Sequence, residues 1–93
     1  MPGNMLKLVA IALDQGTIAG VAAQLAECRS FAERLQDRRR LAEIHRLSAR
    51  LHSLRGDYPA AGAELALAID LFERLGMRRE LDEARGAVQL PAE

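Results

Sequence analysis

The chain has little of several things on which small folds commonly depend: one cysteine, three prolines, three aromatic residues and no net charge. A lone Cys28 excludes a disulfide within the chain, so a reducing compartment is expected. With only Phe31, Tyr58 and Phe72 as aromatics, a core must be assembled from Leu, Ala, Ile and Val. That palette suits closely packed helices better than a sheet. Thirteen basic and thirteen acidic residues cancel, which removes any global field toward nucleic acid or an anionic membrane. The apolar run that follows Met1 is too short to span a bilayer and lacks a basic leader and a small-residue cleavage site. A cytoplasmic protein with no membrane partner is expected.

The 93 residues are expected to form a single domain. A domain of this size buries only about 60–65% of the surface its unfolded chain exposes, so its stability margin is thin. The charge is unevenly spread: residues 1–56 are net basic and residues 57–93 net acidic to the same extent, which favours self-association with the two ends crossed.

An internal repeat settles the expected architecture. At an offset of forty residues, GTIAGVAAQLAECRSFAERLQDRRRLAE, from Gly16, aligns without a gap on GDYPAAGAELALAIDLFERLGMRRELDE, from Gly56. Identical pairs include Leu25/Leu65, Ala26/Ala66, Glu33/Glu73, Arg34/Arg74, Leu35/Leu75, Arg38/Arg78 and Leu41/Leu81. A period near forty is that of a helical solenoid unit.

Helix starts and stops recur within the units. Asn4 is expected to cap a first helix running to Gln15, with Gly16 as its stop, and Thr17 a second over residues 18–36. Asp37 caps a third that Gly56 ends, and Asp57 a fourth, with Pro59 in its first turn and Gly76 beyond its end. A fifth covers residues 78–90, closed by Pro91. The predicted fold is all-α: five antiparallel helices in units 5–36 and 38–76 plus a final helix over 78–90. Apolar stripes predict core faces: Ile18, Val21, Ala22, Leu25, Cys28, Ala32 and Leu35 on the second helix, and Tyr58, Ala61, Leu65, Ala68, Ile69, Phe72 and Leu75 on the fourth. Neither stripe carries a buried polar group to orient a cofactor, and none is expected.

The stretch GDYPAAGAELALAIDLFERLG resembles the second half of a tetratricopeptide repeat (TPR), with Gly56-Asp57-Tyr58 as the turn, Ala61 where helices cross, and Leu65, Ala68 and Ile69 as later packing positions. The forty-residue period and the trailing ERLG-x-RRE are similar to the long repeats in helical arms of bacterial transcriptional activators and signalling ATPases. The resemblance covers residues 5–90 and implies a TPR-like α-solenoid acting in protein–protein interaction. One departure stands in the second unit, where the family's large aliphatic position falls on Ser48 while Leu47 sits one residue early. Carried over without a gap, the family's peptide groove maps onto Glu43, Arg46, Arg50 and Ser53, a polar stripe on one helix face. The same stripe also reads as a solvated surface.

Other constellations have plain readings. His45 and His52 lie two helical turns apart, about 10.5 Å along an axis, too far to share a metal as an i, i+4 pair would; no metal site is predicted. Cys28 lies on the core stripe as a small apolar filler. No nucleophile stands with a base, and no glycine-rich phosphate loop is present, so no catalytic activity is expected. Arg55-Gly56-Asp57 reads as a helix end, a turn and a cap, although it spells an adhesion tripeptide. Arg38-Arg39-Arg40 and Arg78-Arg79 read as solvated rims, with nucleic acid a distant alternative.

The first helix is apolar nearly all round, and a helix of that kind is buried on more than one side. Met5, Leu6, Leu8, Val9 and Leu13 therefore require cover, and Leu67 adds an outward apolar position where the earlier repeat has Glu27. The expectation is a non-catalytic interaction module that forms a homo-oligomer through this helix and binds a protein or peptide. The alternative is a regulatory or sensor arm detached from a bacterial transcriptional activator or signalling ATPase.

Overall fold

The computed structural model describes residues 2–16 and 18–88, with side chains over 7–16 and 18–85. Five helices follow in order: α1 (Pro2–Asp14), α2 (Val21–Leu35), α3 (Arg38–Leu54), α4 (Tyr58–Leu75) and α5 (Arg78–Val88). There is no strand among the described residues, so the all-α reading holds. Short connections turn each helix back on its predecessor, and α1 also packs on α3.

The two acidic caps act as their spacing predicts. Asp37 Oδ1 accepts from Arg40 N at 3.2 Å and Asp57 Oδ1 from Ala60 N at 3.3 Å, each satisfying a donor that the first helical turn leaves free. Gly76, at φ 70°, lets Met77 N donate to Phe72 O at 3.0 Å and closes α4. Two starts differ from expectation. Asn4 lies inside α1, which begins at Pro2, since proline suits a helical first turn. α2 begins at Val21, behind Gly20 at φ 77°. A left-handed residue cannot continue a right-handed helix, so Ile18 is left in the connection. The Thr17 cap and the end of the fifth helix at Leu90 and Pro91 lie outside the described residues.

The core is two clusters joined through α3. In the first, Val9 and Leu13 of α1 meet Val21, Leu25, Cys28 and Ala32 of α2 and Ile44, Leu47 and Leu51 of α3, all buried. In the second, Ala42, Ala68 and Ala84 surround Phe72, which is fully buried, with Leu65, Ile69, Leu71, Met77 and Leu81 partly covered beside them. α3 is continuous, and Leu47, Ser48 and Ala49 are all buried, so the early leucine breaks no helix. It faces α1 and α2 while its neighbours face elsewhere in the interior.

Three residues of the predicted stripes are exposed: Ala22, Leu35 and Tyr58. Leu35 and Tyr58 occupy the terminal residues of their helices. The surplus apolar surface of α1 also resolves into two faces. Val9 and Leu13 are consumed by the chain's own core, which corrects their assignment to a self-association surface. Leu8 and Ile11 remain outward, at 62% and 52% exposure. The side chains of Met5 and Leu6 lie outside the described set.

Candidate functional site: a groove between three helices

A groove of about 900 Å³ opens between α3, α4 and α5. Arg46, Ala49, Arg50, Ser53 and Leu54 line it from α3. Tyr58, Ala61, Gly62, Leu65, Ala66, Ile69, Asp70 and Glu73 run along it on α4, and Glu83 and Ala84 come from α5. Its volume lies in the range of ligand and peptide sites, and its lining is apolar with charges at the margins.

The forty-residue repeat explains why the groove exists. Ala49, Ser53, Ala61 and Ala84 stand at the positions that Val9, Leu13, Val21 and Ile44 hold in the first unit. Those four larger residues are buried in the first cluster. Where the first unit packs branched side chains between its helices, the second has three alanines and a serine. Accordingly, α3 and α5 share no contact comparable with that of α1 on α3 among the described residues. Packed interiors do not leave such volume empty at small cost, so the second unit holds its surviving core at the Phe72 end and opens at the other.

Three of the four residues of the predicted polar stripe, Arg46, Arg50 and Ser53, line this groove. Glu43 does not, but it holds Arg46: Nη2 of the guanidinium donates to Glu43 Oε1 at 3.1 Å. Arg46 Nε is buried with no acceptor. Arg50 Nη2 donates to Asp14 Oδ1 at 2.6 Å, pinning the α3 margin to the end of α1. Across the groove, Asp70 pairs with Arg74 at 3.1 Å and Glu73 with Arg85. Arg46 and Arg50 stand on one margin and Asp70 and Glu73 on the other, each held in an ion pair.

Sequence reasoning finds the charged margin and misses the apolar floor. The helical stripe places Leu65 and Ile69 in a sealed core, yet both are only half-buried, because the residues that would have covered them are alanines. Within the aligned stretch only Val21/Ala61 carries that signal; the other three pairs appear when the forty-residue offset is extended beyond it.

The histidines divide. His45 Nδ1 lies 2.7 Å from Glu64 Oε1, and Arg29 Nη2 lies 3.5 Å from the same oxygen. With the proton on Nδ1, His45 donates to Glu64, and Arg29 forms an ion pair with the same carboxylate oxygen, so α2, α3 and α4 are linked through Glu64. Arg29 Nη2 also approaches Nδ1 at 3.4 Å, a contact between two donors in that tautomer. Among the described residues no group of His, Cys, Asp or Glu is arranged to hold a metal. Cys28 is buried, and its thiol is pushed up from the usual range, first by loss of solvation and then by Glu27, with Arg40 opposing. Arg38, Arg39, Arg78 and Arg79 are exposed, while Arg40 pairs with Asp37 at 3.3 Å. Gly56 carries φ 80° between the end of α3 and the Asp57 cap.

No family model matches the chain, and no curated protein or solved structure is significantly similar to it. Among the described residues, no helix is long and apolar enough to cross a membrane.

Proposed function

We propose that this chain is a non-catalytic, TPR-like protein-interaction module that receives an apolar segment of a protein partner in the groove between α3, α4 and α5. The observation that carries the reading is the replacement of Val9, Leu13, Val21 and Ile44 by Ala49, Ser53, Ala61 and Ala84 in the second unit, which leaves an apolar volume for another molecule's side chains. The floor of Ala61, Leu65 and Ile69 is aliphatic, which suits recognition of apolar side chains. The cytoplasm is the compartment that goes with the lone cysteine. A place as a regulatory arm of a larger bacterial regulator would use the same surface.

The test is selection of displayed peptides on the folded chain, with counter-selection on an Ala61→Val/Ala84→Ile variant that fills the groove. Peptides that hold the parent and ignore the filled variant support the reading. Failure to enrich any, or enrichment of peptides indifferent to the filling, rejects it.

A second reading is favoured by Leu8 and Ile11, which stand exposed one turn apart on α1. Self-association through this face is compatible with an open groove on the other end of the molecule.

A further inference from the structure

A second cleft, of about 170 Å³, shares no lining residue with the groove. Arg29 enters it from α2, Ser48, His52 and Arg55 from α3, and Glu64 from α4. Ser48, His52 and Arg55 are spaced i, i+4 and i+7, which aligns them along one face of α3. Leu25 and Leu51, both buried, line the same cleft. Polar groups set beside aliphatic carbons make stronger charge-assisted hydrogen bonds than they make in open solvent.

The forty-residue repeat shows that the fold does not require these groups. Ser48, His52 and Arg55 stand where the first unit has Leu8, Ala12 and Gln15; Glu64 stands where it has Gln24, and Arg29 where the second unit has Ile69. All five equivalents are uncharged. Arg29 and Glu64 account for each other, paired at 3.5 Å, with His45 joining the carboxylate at 2.7 Å. Ser48, which is buried, and His52 and Arg55, which pair with no carboxylate among the described residues, have no such account. With Glu64 offset by Arg29, the Arg55 guanidinium is the uncompensated charge of the cleft. The end of α3 does not oppose an anion there through free carbonyls, because those of Leu51, His52 and Ser53 accept from the amides of Arg55, Asp57 and Gly56.

The donor set decides the ligand. Arg29 spends Nη2 on Glu64, and a guanidinium has further N–H donors to give. Two guanidinium groups, an imidazole and a hydroxyl approach from two helices, in more directions than the two oxygens of a planar carboxylate can use. A tetrahedral oxyanion accepts from all of them. We propose that the cleft between α2, α3 and α4 binds a phosphoryl group, as inorganic phosphate or as the monoester of a small molecule, with Arg55, His52, Ser48 and Arg29 donating to its oxygens. Glu64 holds Arg29 in place for that contact.

Titration of the full ¹⁵N-labelled chain at fixed pH and ionic strength, followed through its backbone amide shifts, tests this with inorganic phosphate, O-phosphoserine and acetate. A phosphoryl probe is expected to give saturating shifts at Ser48, His52 and Arg55, with acetate at least about ten-fold weaker. Arg55→Gln, at an exposed position, is expected to keep the parent's circular dichroism and to bind at least about ten-fold more weakly, the loss of one charged hydrogen bond. Ala26→Leu, also at an exposed position, is expected to fold as the parent does, fill the cleft it lines and abolish the shifts. Arg79→Gln, which does not line the cleft, is expected to bind as the parent does.

O-phosphoserine that binds at least as tightly as phosphate supports a monoester as the ligand, and weaker binding supports the free ion. Acetate that binds as well as both overturns the tetrahedral assignment. Shifts that grow without saturating overturn the site, as do shifts that Arg55→Gln and Ala26→Leu leave unchanged or that Arg79→Gln weakens as much as Arg55→Gln. The groove reading stands or falls separately, since none of these variants alters a residue that lines it.

Discussion

Gln36 and Gly76 stand forty residues apart, at the C-caps of α2 and α4, and both adopt the left-handed backbone, φ 55° and 70°. The second unit fills the position with the residue that has no Cβ to resist it; the first uses a glutamine. Gln36→Gly is therefore expected to stabilise the chain by about 0.5–1 kcal/mol, the relief of left-handed strain being partly offset by a freer unfolded chain. A urea-unfolding midpoint at unchanged slope is the measurement, and an unmoved or lowered midpoint would show that the glutamine side chain contributes something the glycine cannot.

The buckle of Arg29, His45 and Glu64 gives a second prediction. Glu64 Oε1 takes a hydrogen bond from His45 and an ion pair from Arg29, on two other helices, at side-chain exposures of 14% for His45 and 20% for Glu64. Charge-assisted bonds with that little solvent exceed surface ion pairs in strength. Glu64→Ala and His45→Ala are each expected to cost about 1–3 kcal/mol, and the double variant less than their sum, because the cycle removes one shared interaction. Strict additivity would mean that the two side chains are merely neighbours.

How much of this was legible in the sequence depends on which rule governs each residue. The caps at Asp37 and Asp57 and the stop at Gly76 are local, and local chemistry is readable from a few adjacent residues. The start of α2 was not, because Thr17 offers a cap side chain while Gly20 changes the backbone three residues later. Val9 and Leu8 are neighbours in an apolar run, and no pattern there says which one faces α2 and α3. The groove was half legible: Arg46, Arg50 and Ser53 follow from helical spacing, whereas its apolar floor follows from what Ala49, Ala61 and Ala84 fail to fill. Mismatched repeat positions mark a loss of side-chain volume, and the structure shows which of those positions oppose one another.

Cys28 supplies a pH-dependent prediction. Its thiol is held above the usual range by burial and by Glu27. Above the unfolded thiol's value, near about 8.5, the unfolded chain releases a proton that the native chain retains. The native state then binds more protons, and stability falls as pH rises. Parent and Cys28→Ala chains are therefore expected to keep a constant difference in unfolding midpoint below about pH 8 and to converge above it. A difference that is flat through pH 10 would show that the thiol ionises alike in both states. The same burial predicts slow labelling by a disulfide reagent until urea unfolds the chain.

The last prediction separates packing from association on one helix. Val9 is fully buried against α2 and α3, and Leu8 beside it is 62% exposed. Val9→Glu places a carboxylate in the first core cluster and is expected to unfold the chain, since a buried unpaired charge exceeds the margin of so small a domain. Leu8→Glu leaves the core untouched and is expected to keep the parent's helical circular dichroism. If Leu8 and Ile11 form an interface between copies, light scattering across a dilution series will show the parent as a discrete oligomer and Leu8→Glu as a folded monomer. A parent that is already monomeric at the highest concentration rejects the α1 interface without touching the groove, because Leu8 and Ile11 do not line it. Loss of folding in Leu8→Glu would place that residue in a core the monomer cannot do without, and the exposed face of α1 would then be the wrong surface on which to look for a second copy.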